Sequence, residues 1–297
     1  MDERLTDLGA VTALPQIPDV PGFAHEFFET PGLRTHVATI GEGEPVLMLH
    51  GFPQHWWQWR SVGTSLAAEY RVICPDLRGS GWTRAATTRI ERYSMRDDVL
   101  ALMDAMGLDR VRVVAHDMGG IPAAQLAYAH PERLRALVVL SVPPPFMRMS
   151  LGMLPAMRHV PKLRFHRRGR SLEYLFRHPY VATPMPEDTV ATYLAPLRDS
   201  AIDAAVREVY RGLIGGEVPH LATGAYRRMR LRVPSLYAFG VKDEPLTASF
   251  VRGHSGDVSR YADHLEIASV DGAAHFMTDD NPAAVVDLVR DFFERMS

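Results

Sequence analysis

Short apolar runs that stop abruptly at small or polar residues set the rhythm of this chain. Pro45 to Leu49 ends at His50-Gly51, Val72 to Pro75 at Asp76-Leu77-Arg78-Gly79, and Val111 to Ala115 at His116-Asp117. Leu134 to Leu140, Ser235 to Phe239 and Leu265 to Val270 repeat the pattern. Runs of this length bounded by turn residues predict buried strands. His25 to Glu29 and Leu33 to Ile40, on either side of Pro31-Gly32, predict a further pair. Elsewhere the apolar period lengthens. Ser94 to Met106 places Val99, Leu100, Leu102, Met103 and Met106 at helical spacing, and Met118 to Ala129 and Pro282 to Met296 also predict helices.

Strands alternating with helices predict a largely parallel sheet covered on both faces. Reactive groups then belong at the carboxyl ends of the strands. His50, Asp76, Asp117, Asp243 and His275 each fall just beyond a predicted strand. The alternation breaks between Ser141 and about Arg232, where Pro143-Pro144-Pro145 is followed by helical pieces around 147–158, 171–177, 187–213 and 218–228. The predicted organisation is therefore a core domain, residues 1–142 and 232–297, with a helical cap at 143–231. The cap opens on a basic, methionine-rich stretch from Met147 to Arg170. That composition suits contact with an anionic or lipidic surface. It also suits a solvated helix face over an adaptable apolar underside, the more ordinary of the two.

Composition narrows the function classes. With 297 residues, 46% of them apolar, the chain is long enough for one large domain with an insertion. A net charge of −2 gives no reason to expect nucleic acid as a partner. The single cysteine, Cys74, lies in an apolar run, which excludes an internal disulfide and points to a cytoplasmic protein. Residues 1–24, with Pro15, Pro18 and Pro21, read as an irregular lead-in, and Met1-Asp2-Glu3 does not open a secretory signal. No run approaches the roughly 18 apolar residues of an integral membrane segment. Neither metal-ligand spacing nor a dinucleotide fingerprint is present, so no metal or cofactor is expected.

The chemistry centres on Ala115-His116-Asp117-Met118-Gly119-Gly120. A strand, a tight turn and a helix, with small residues around the turn, present one side chain as a nucleophile. The bland alternative is a helix N-cap aspartate. As a nucleophile, Asp117 is already ionised near pH 7 and needs no base. Attack on an acyl group would give a mixed anhydride. Attack on saturated carbon gives an alkyl ester, which activated water can hydrolyse.

With His50-Gly51-Phe52-Pro53, Asp76-Leu77-Arg78-Gly79-Ser80-Gly81, the Asp117 elbow, Gly240-Val241-Lys242-Asp243 and Gly272-Ala273-Ala274-His275-Phe276 in this order, the chain resembles the α/β-hydrolase superfamily from about residue 25 onward. Within it, the resemblance is to the epoxide hydrolase and dehalogenase branch. It implies Asp117 as nucleophile, His275 as the water-activating base and Asp243 as its orienting acid, with Glu244 as runner-up. The backbone N–H groups of Phe52 and Met118 would form the oxyanion hole. Some relatives carry the acid where this chain has Ser141 and Val142, neither of which can serve. Haloalkane dehalogenases hold the halide with a tryptophan after the nucleophile and an asparagine after His-Gly. Haloacetate dehalogenases hold the substrate carboxylate with an arginine. Met118 and Phe52 supply none of these groups, so the resemblance favours a small apolar epoxide as substrate. A departing alkoxide needs a proton, which epoxide hydrolases supply from two cap tyrosines. Tyr226-Arg227 matches the second. Leu172 stands where the first is expected, which leaves Tyr174, with His178 and Tyr180 as substitutes. Trp56 and Trp57 are expected to wall an apolar pocket. The competing functions are a dehalogenase acting on an activated substrate and a non-hydrolytic small-molecule binder. A homodimer is compatible with all three.

Overall fold

The strand that carries the elbow lies in the middle of the sheet. In the computed structural model, residues 14–296 are described. The start of the lead-in, including Met1-Asp2-Glu3, lies outside the described residues. Strands β1 (Ala24–Thr30), β2 (Leu33–Ile40), β3 (Glu44–Leu49), β4 (Tyr70–Pro75), β5 (Arg84–Ala85), β6 (Val111–His116), β7 (Leu134–Leu140), β8 (Ser235–Gly240) and β9 (Leu265–Val270) form one sheet. Its order is β1-β2-β4-β3-β6-β7-β8-β9, with β5 paired to β2. The pairings of β1, β4 and β5 to β2 are antiparallel, and every pairing along the sheet from β4 to β9 is parallel.

Every residue of β6 is buried. Val113 and Ala115 join one apolar core and Val114 the other, because alternate side chains leave opposite faces of a strand. Helices Ser94–Ala105 and Gly120–Ala129 cover the first face, and Arg60–Leu66 and Pro282–Arg295 the second.

Between β7 and β8 lies the helical insertion. The stretch 187–213, expected as one helical piece, is three. Helix Glu187–Leu194 ends before a 3₁₀ turn containing Pro196. Asp199 then starts Ser200–Glu208 by accepting the N–H groups of Ala201 and Ile202. The chain next widens into a π-helix at Val209–Ile214. Helices Arg60–Leu66 and Ala248–Ser255 are additions to the predicted set. Each has three buried positions, too few to establish a period against its polar neighbours.

Candidate active site

Asp117 leaves β6 in the left-handed region, at φ 44°, so its side chain points away from both strand and helix. The close crossing of segments there explains the surrounding glycines. A Cβ on Gly119 would lie 2.5 Å from the Leu49 carbonyl oxygen, and one on Gly51 would lie 2.8 Å from Asp117 Cβ. Asp117, Met118 and Gly119 make a 3₁₀ turn, so the regular helix begins at Gly120, two residues later than the apolar pattern predicts.

The Phe52 N–H donates to Asp117 Oδ2 at 2.9 Å. His275 Nε2 lies 3.5 Å from Asp117 Oδ1, and His275 Nδ1 lies 3.2 Å from Asp243 Oδ2. Asp243 is buried, whereas Glu244 is exposed. Burial alone would push the Asp117 carboxyl up. The hydrogen bond and charge of His275, with His116 and the Phe52 N–H, outweigh it and hold Asp117 well below the usual carboxylate range. Burial likewise works against the His275 imidazolium, but Asp243 and Asp117 hold its pKa well above 6.5. At rest, an Asp117 carboxylate thus faces a His275 imidazolium.

Two groups fix the turn bearing His275. Ser141 Oγ donates to the His275 carbonyl at 2.9 Å, and His116 Nε2 lies 2.8 Å from the same oxygen. Burial lowers the His116 pKa to about 4, so its ring is neutral and its Nε2–H is the donor. His50 bonds to the Gly51 carbonyl through Nδ1 and accepts the Leu77 N–H at Nε2. Both histidines are therefore supports for the loops around the site. Asp76 is also structural: it accepts the N–H groups of Trp56 and Trp82 and pairs with His36.

A cavity of about 210 Å³ opens above Asp117, lined by Met118, Ile121, Val142, Met147, Met153, Leu246 and other apolar side chains. Trp56 and Trp57 are not part of its wall, contrary to expectation. Both sit in a 3₁₀ turn, Trp56–Trp59, that carries the chain away from Phe52. Trp56 packs among Phe23, His25 and His36. Trp57 lies beneath the Arg60 guanidinium, 3.9 Å from its ring centroid, and against Tyr193.

The cap tyrosines also require correction. Tyr226 reaches the cavity wall, but its hydroxyl donates to Glu217 Oε1 at 2.5 Å and accepts from Arg92 at 3.3 Å. Glu217 is held further by Arg92 at 2.7 Å and Gln125 at 2.8 Å. Burial and that carboxylate push the Tyr226 phenol up, and its proton is already committed to Glu217, which makes the hydroxyl a structural link. Tyr174 stays out of the wall, its buried hydroxyl without a partner among the described residues and its ring beside Lys162. Leu172 is core, and His178 faces a separate surface groove on the cap.

The residue that sequence reasoning missed is Tyr210. It lies in the first turn of the π-helix, lines the cavity, and sets its ring edge-on to Phe52 at 5.5 Å between centroids. Its hydroxyl has no hydrogen-bond partner among the described residues. Burial and then the charge of Asp117 push its pKa well above 10, which places the phenol within electrostatic reach of the Asp117 carboxylate. His159 shares the cavity, with its ring 6.1 Å from that of Tyr210 and Nδ1 3.4 Å from the Tyr180 hydroxyl. A signal for Tyr210 exists in the sequence: the cap holds a second Tyr-Arg pair, Tyr210-Arg211.

A family model for the alpha/beta hydrolase fold matches residues 44–170. Epoxide hydrolase 2 of Siraitia grosvenorii is 30% identical over 318 residues, covering 91% of this chain and 98% of that protein. The soluble epoxide hydrolase of Corynebacterium sp. (strain C12) is 26% identical over 279 residues, covering 88% of this chain and 94% of its own length. Among solved structures, epoxide hydrolase VrEH1 from Vigna radiata is 25% identical with a TM-score of 0.73, over 92% of this chain and 99% of that one.

Proposed function

The chain belongs to the epoxide hydrolase family of the α/β-hydrolase fold, and on that footing we propose that it hydrolyses a small apolar epoxide to a vicinal diol through an Asp117 alkyl ester. One observation carries the reading. An ionised Asp117 receives the Phe52 N–H on one oxygen and His275 on the other, at the floor of an apolar cavity with the unpartnered Tyr210 hydroxyl in its wall. The helical insertion 143–231 acts as the cap that supplies this wall.

Asp117 Oδ1 or Oδ2 attacks a ring carbon, and the C–O bond of the epoxide breaks. Tyr210 gives its proton to the departing alkoxide. A phenol suits this task because the alkoxide is far more basic than a phenolate. His275 returns a proton to Tyr210 and becomes neutral. Ester formation favours that transfer, since it removes the Asp117 charge that stabilises the imidazolium. Neutral His275, oriented by Asp243, then takes a proton from water, and the hydroxide attacks the Asp117 carbonyl. The N–H groups of Phe52 and Met118 stabilise the oxyanion. Collapse releases the diol alkoxide, which takes the proton of the new Asp117 carboxyl. Asp117 carboxylate and His275 imidazolium are thereby restored. The single buried thiol, Cys74, accords with a cytoplasmic setting.

A single turnover in heavy-oxygen water with enzyme in excess tests the ester. Label should enter Asp117, read by peptide mass after digestion. Label confined to the diol would mean direct attack by water and would sink the mechanism.

A further inference from the structure

The leading edge of the cap carries charge and apolar surface that the reaction does not use. Between Phe146 and Leu172 the chain has six arginines and Lys162 but no aspartate or glutamate, although its net charge is −2. All seven cations are exposed, and none forms an ion pair among the described residues. Large apolar side chains stand out between them: Leu151 is 83% exposed, Phe165 72% and Leu154 60%. Apolar side chains this open, interleaved with unpaired cations, mark a surface that meets something anionic and oily.

We propose that this edge is an interfacial binding site for an anionic lipid bilayer, with Leu151, Leu154 and Phe165 entering the headgroup region and the flanking arginines neutralising lipid charge. Other occupants fit less well. A nucleic acid would use the cations but leave the leucines and Phe165 in water. A second copy docked by two-fold symmetry would bring a like-charged patch against this one. No helix among the described residues is long and apolar enough to cross a membrane, so the contact is peripheral. The 3₁₀ helix Leu151–Met157 turns Met153, Ala156 and Met157 to the cavity and Leu151 and Leu154 to solvent. One helix thickness therefore separates the lipid-facing side chains from the substrate cavity. That proximity would let an apolar epoxide dissolved in the bilayer reach the site, a benefit that rests on the proposed reaction; the lipid contact itself does not.

The test is flotation of the full chain with vesicles of phosphatidylcholine alone and of equal parts phosphatidylcholine and phosphatidylglycerol. Each cation close to an anionic surface is worth about fivefold in binding, so the mixed vesicles should bind at least about tenfold better at low salt. Raising the salt until the screening length is a few ångströms should release the protein. The variant R164Q/R167Q/R168Q/R170Q and the variant L151S/L154S/F165S should each lower partitioning about tenfold or more. All seven side chains are exposed, so both variants should melt with the parent. The proposal is overturned if the parent ignores anionic vesicles at low salt, or binds both compositions equally. It is also overturned if the L151S/L154S/F165S variant binds like the parent, if duplex DNA is bound as tightly as the mixed vesicles, or if sedimentation shows a dimer that this variant dissolves. Flotation requires no turnover, so its failure leaves the epoxide reading intact, and failure of that reading leaves the flotation result intact.

Discussion

Replacing Tyr210 and Tyr226 separately by phenylalanine distinguishes the tyrosine that the cavity favours from the one that the sequence favours. Tyr210→Phe removes a hydroxyl that has no hydrogen-bond partner among the described residues and retains the ring that packs on Phe52 and His159. Its cost in stability should be within about 0.5 kcal/mol. Its cost in catalysis should be large, because loss of a positioned general acid is worth about 10²–10⁴-fold, or about 3–5 kcal/mol in the barrier. Tyr226→Phe should behave in the opposite way. It leaves buried Glu217 without the donor at 2.5 Å, while Arg92 and Gln125 remain. An under-satisfied buried acceptor costs about 1–3 kcal/mol, and the chemistry should change less than about tenfold. Single-turnover stopped-flow fluorescence reads the ester-forming step, and thermal or urea unfolding reads stability. The Tyr210 pKa lies well above 10, so the ester-forming rate should also show no alkaline decline from this residue below about pH 10. A Tyr226→Phe variant slowed a hundredfold beside a normal Tyr210→Phe would refute the assignment. Two unaffected variants would refute it as well and transfer the role to His159.

Three further outcomes follow from the same geometry. His275→Gln should form the ester but hydrolyse it at least about 10³-fold more slowly, so intact mass should rise by the mass of the substrate; an unmodified protein after exposure would contradict the role of His275. Gly119→Ala would place a Cβ 2.5 Å from the Leu49 carbonyl oxygen and 2.7 Å from that of His50, both backbone atoms; it should cost more than about 3 kcal/mol, and a melting temperature equal to the parent's would count against the packed elbow. Burial holds the pKa values of His55 and His116 at about 4, below the ordinary 6.5. The unfolded chain therefore binds protons first as pH falls, and stability should drop between pH 6.5 and 4, by about 3 kcal/mol for each histidine. The raised pKa of His275 has the opposite sign and its contribution is complete below pH 6.5, so it does not cancel the loss. A urea midpoint that stays level across this interval would refute the argument.

How far the sequence could be read depends on whether local pattern or packing decides a residue's surroundings. β6 is buried on both faces and reads as an apolar run broken by Arg112 alone before His116, and the elbow after it needs small residues at fixed offsets. Both signals are local. Asp243 and His275 are equally plain, because parallel strands deliver their carboxyl ends to one edge of the sheet whatever lies between them. Trp56 and Trp57 show where this logic stops. They follow Phe52 closely in sequence, yet a 3₁₀ turn of four residues carries them away from the cavity. The insertion has no strand lattice to set directions, so the facing of each residue there depends on how short helices pack. Its period is misleading at the decisive place: the π-helix at Val209–Ile214 widens the turn, so α-helical spacing assigns Tyr210 to no particular face. Of the two Tyr-Arg pairs in the cap, the sequence context before β8 favours Tyr226-Arg227. The choice between them rests on Glu217, a buried carboxylate between the two pairs whose facing no pattern sets, which takes the Tyr226 hydroxyl and leaves Tyr210 as the cap phenol in the cavity wall without a partner among the described residues. The positions of Asp117 and His275 are thus dictated by topology. The proton donor we propose, by contrast, depends on which cap hydroxyl at the cavity other buried groups leave unoccupied.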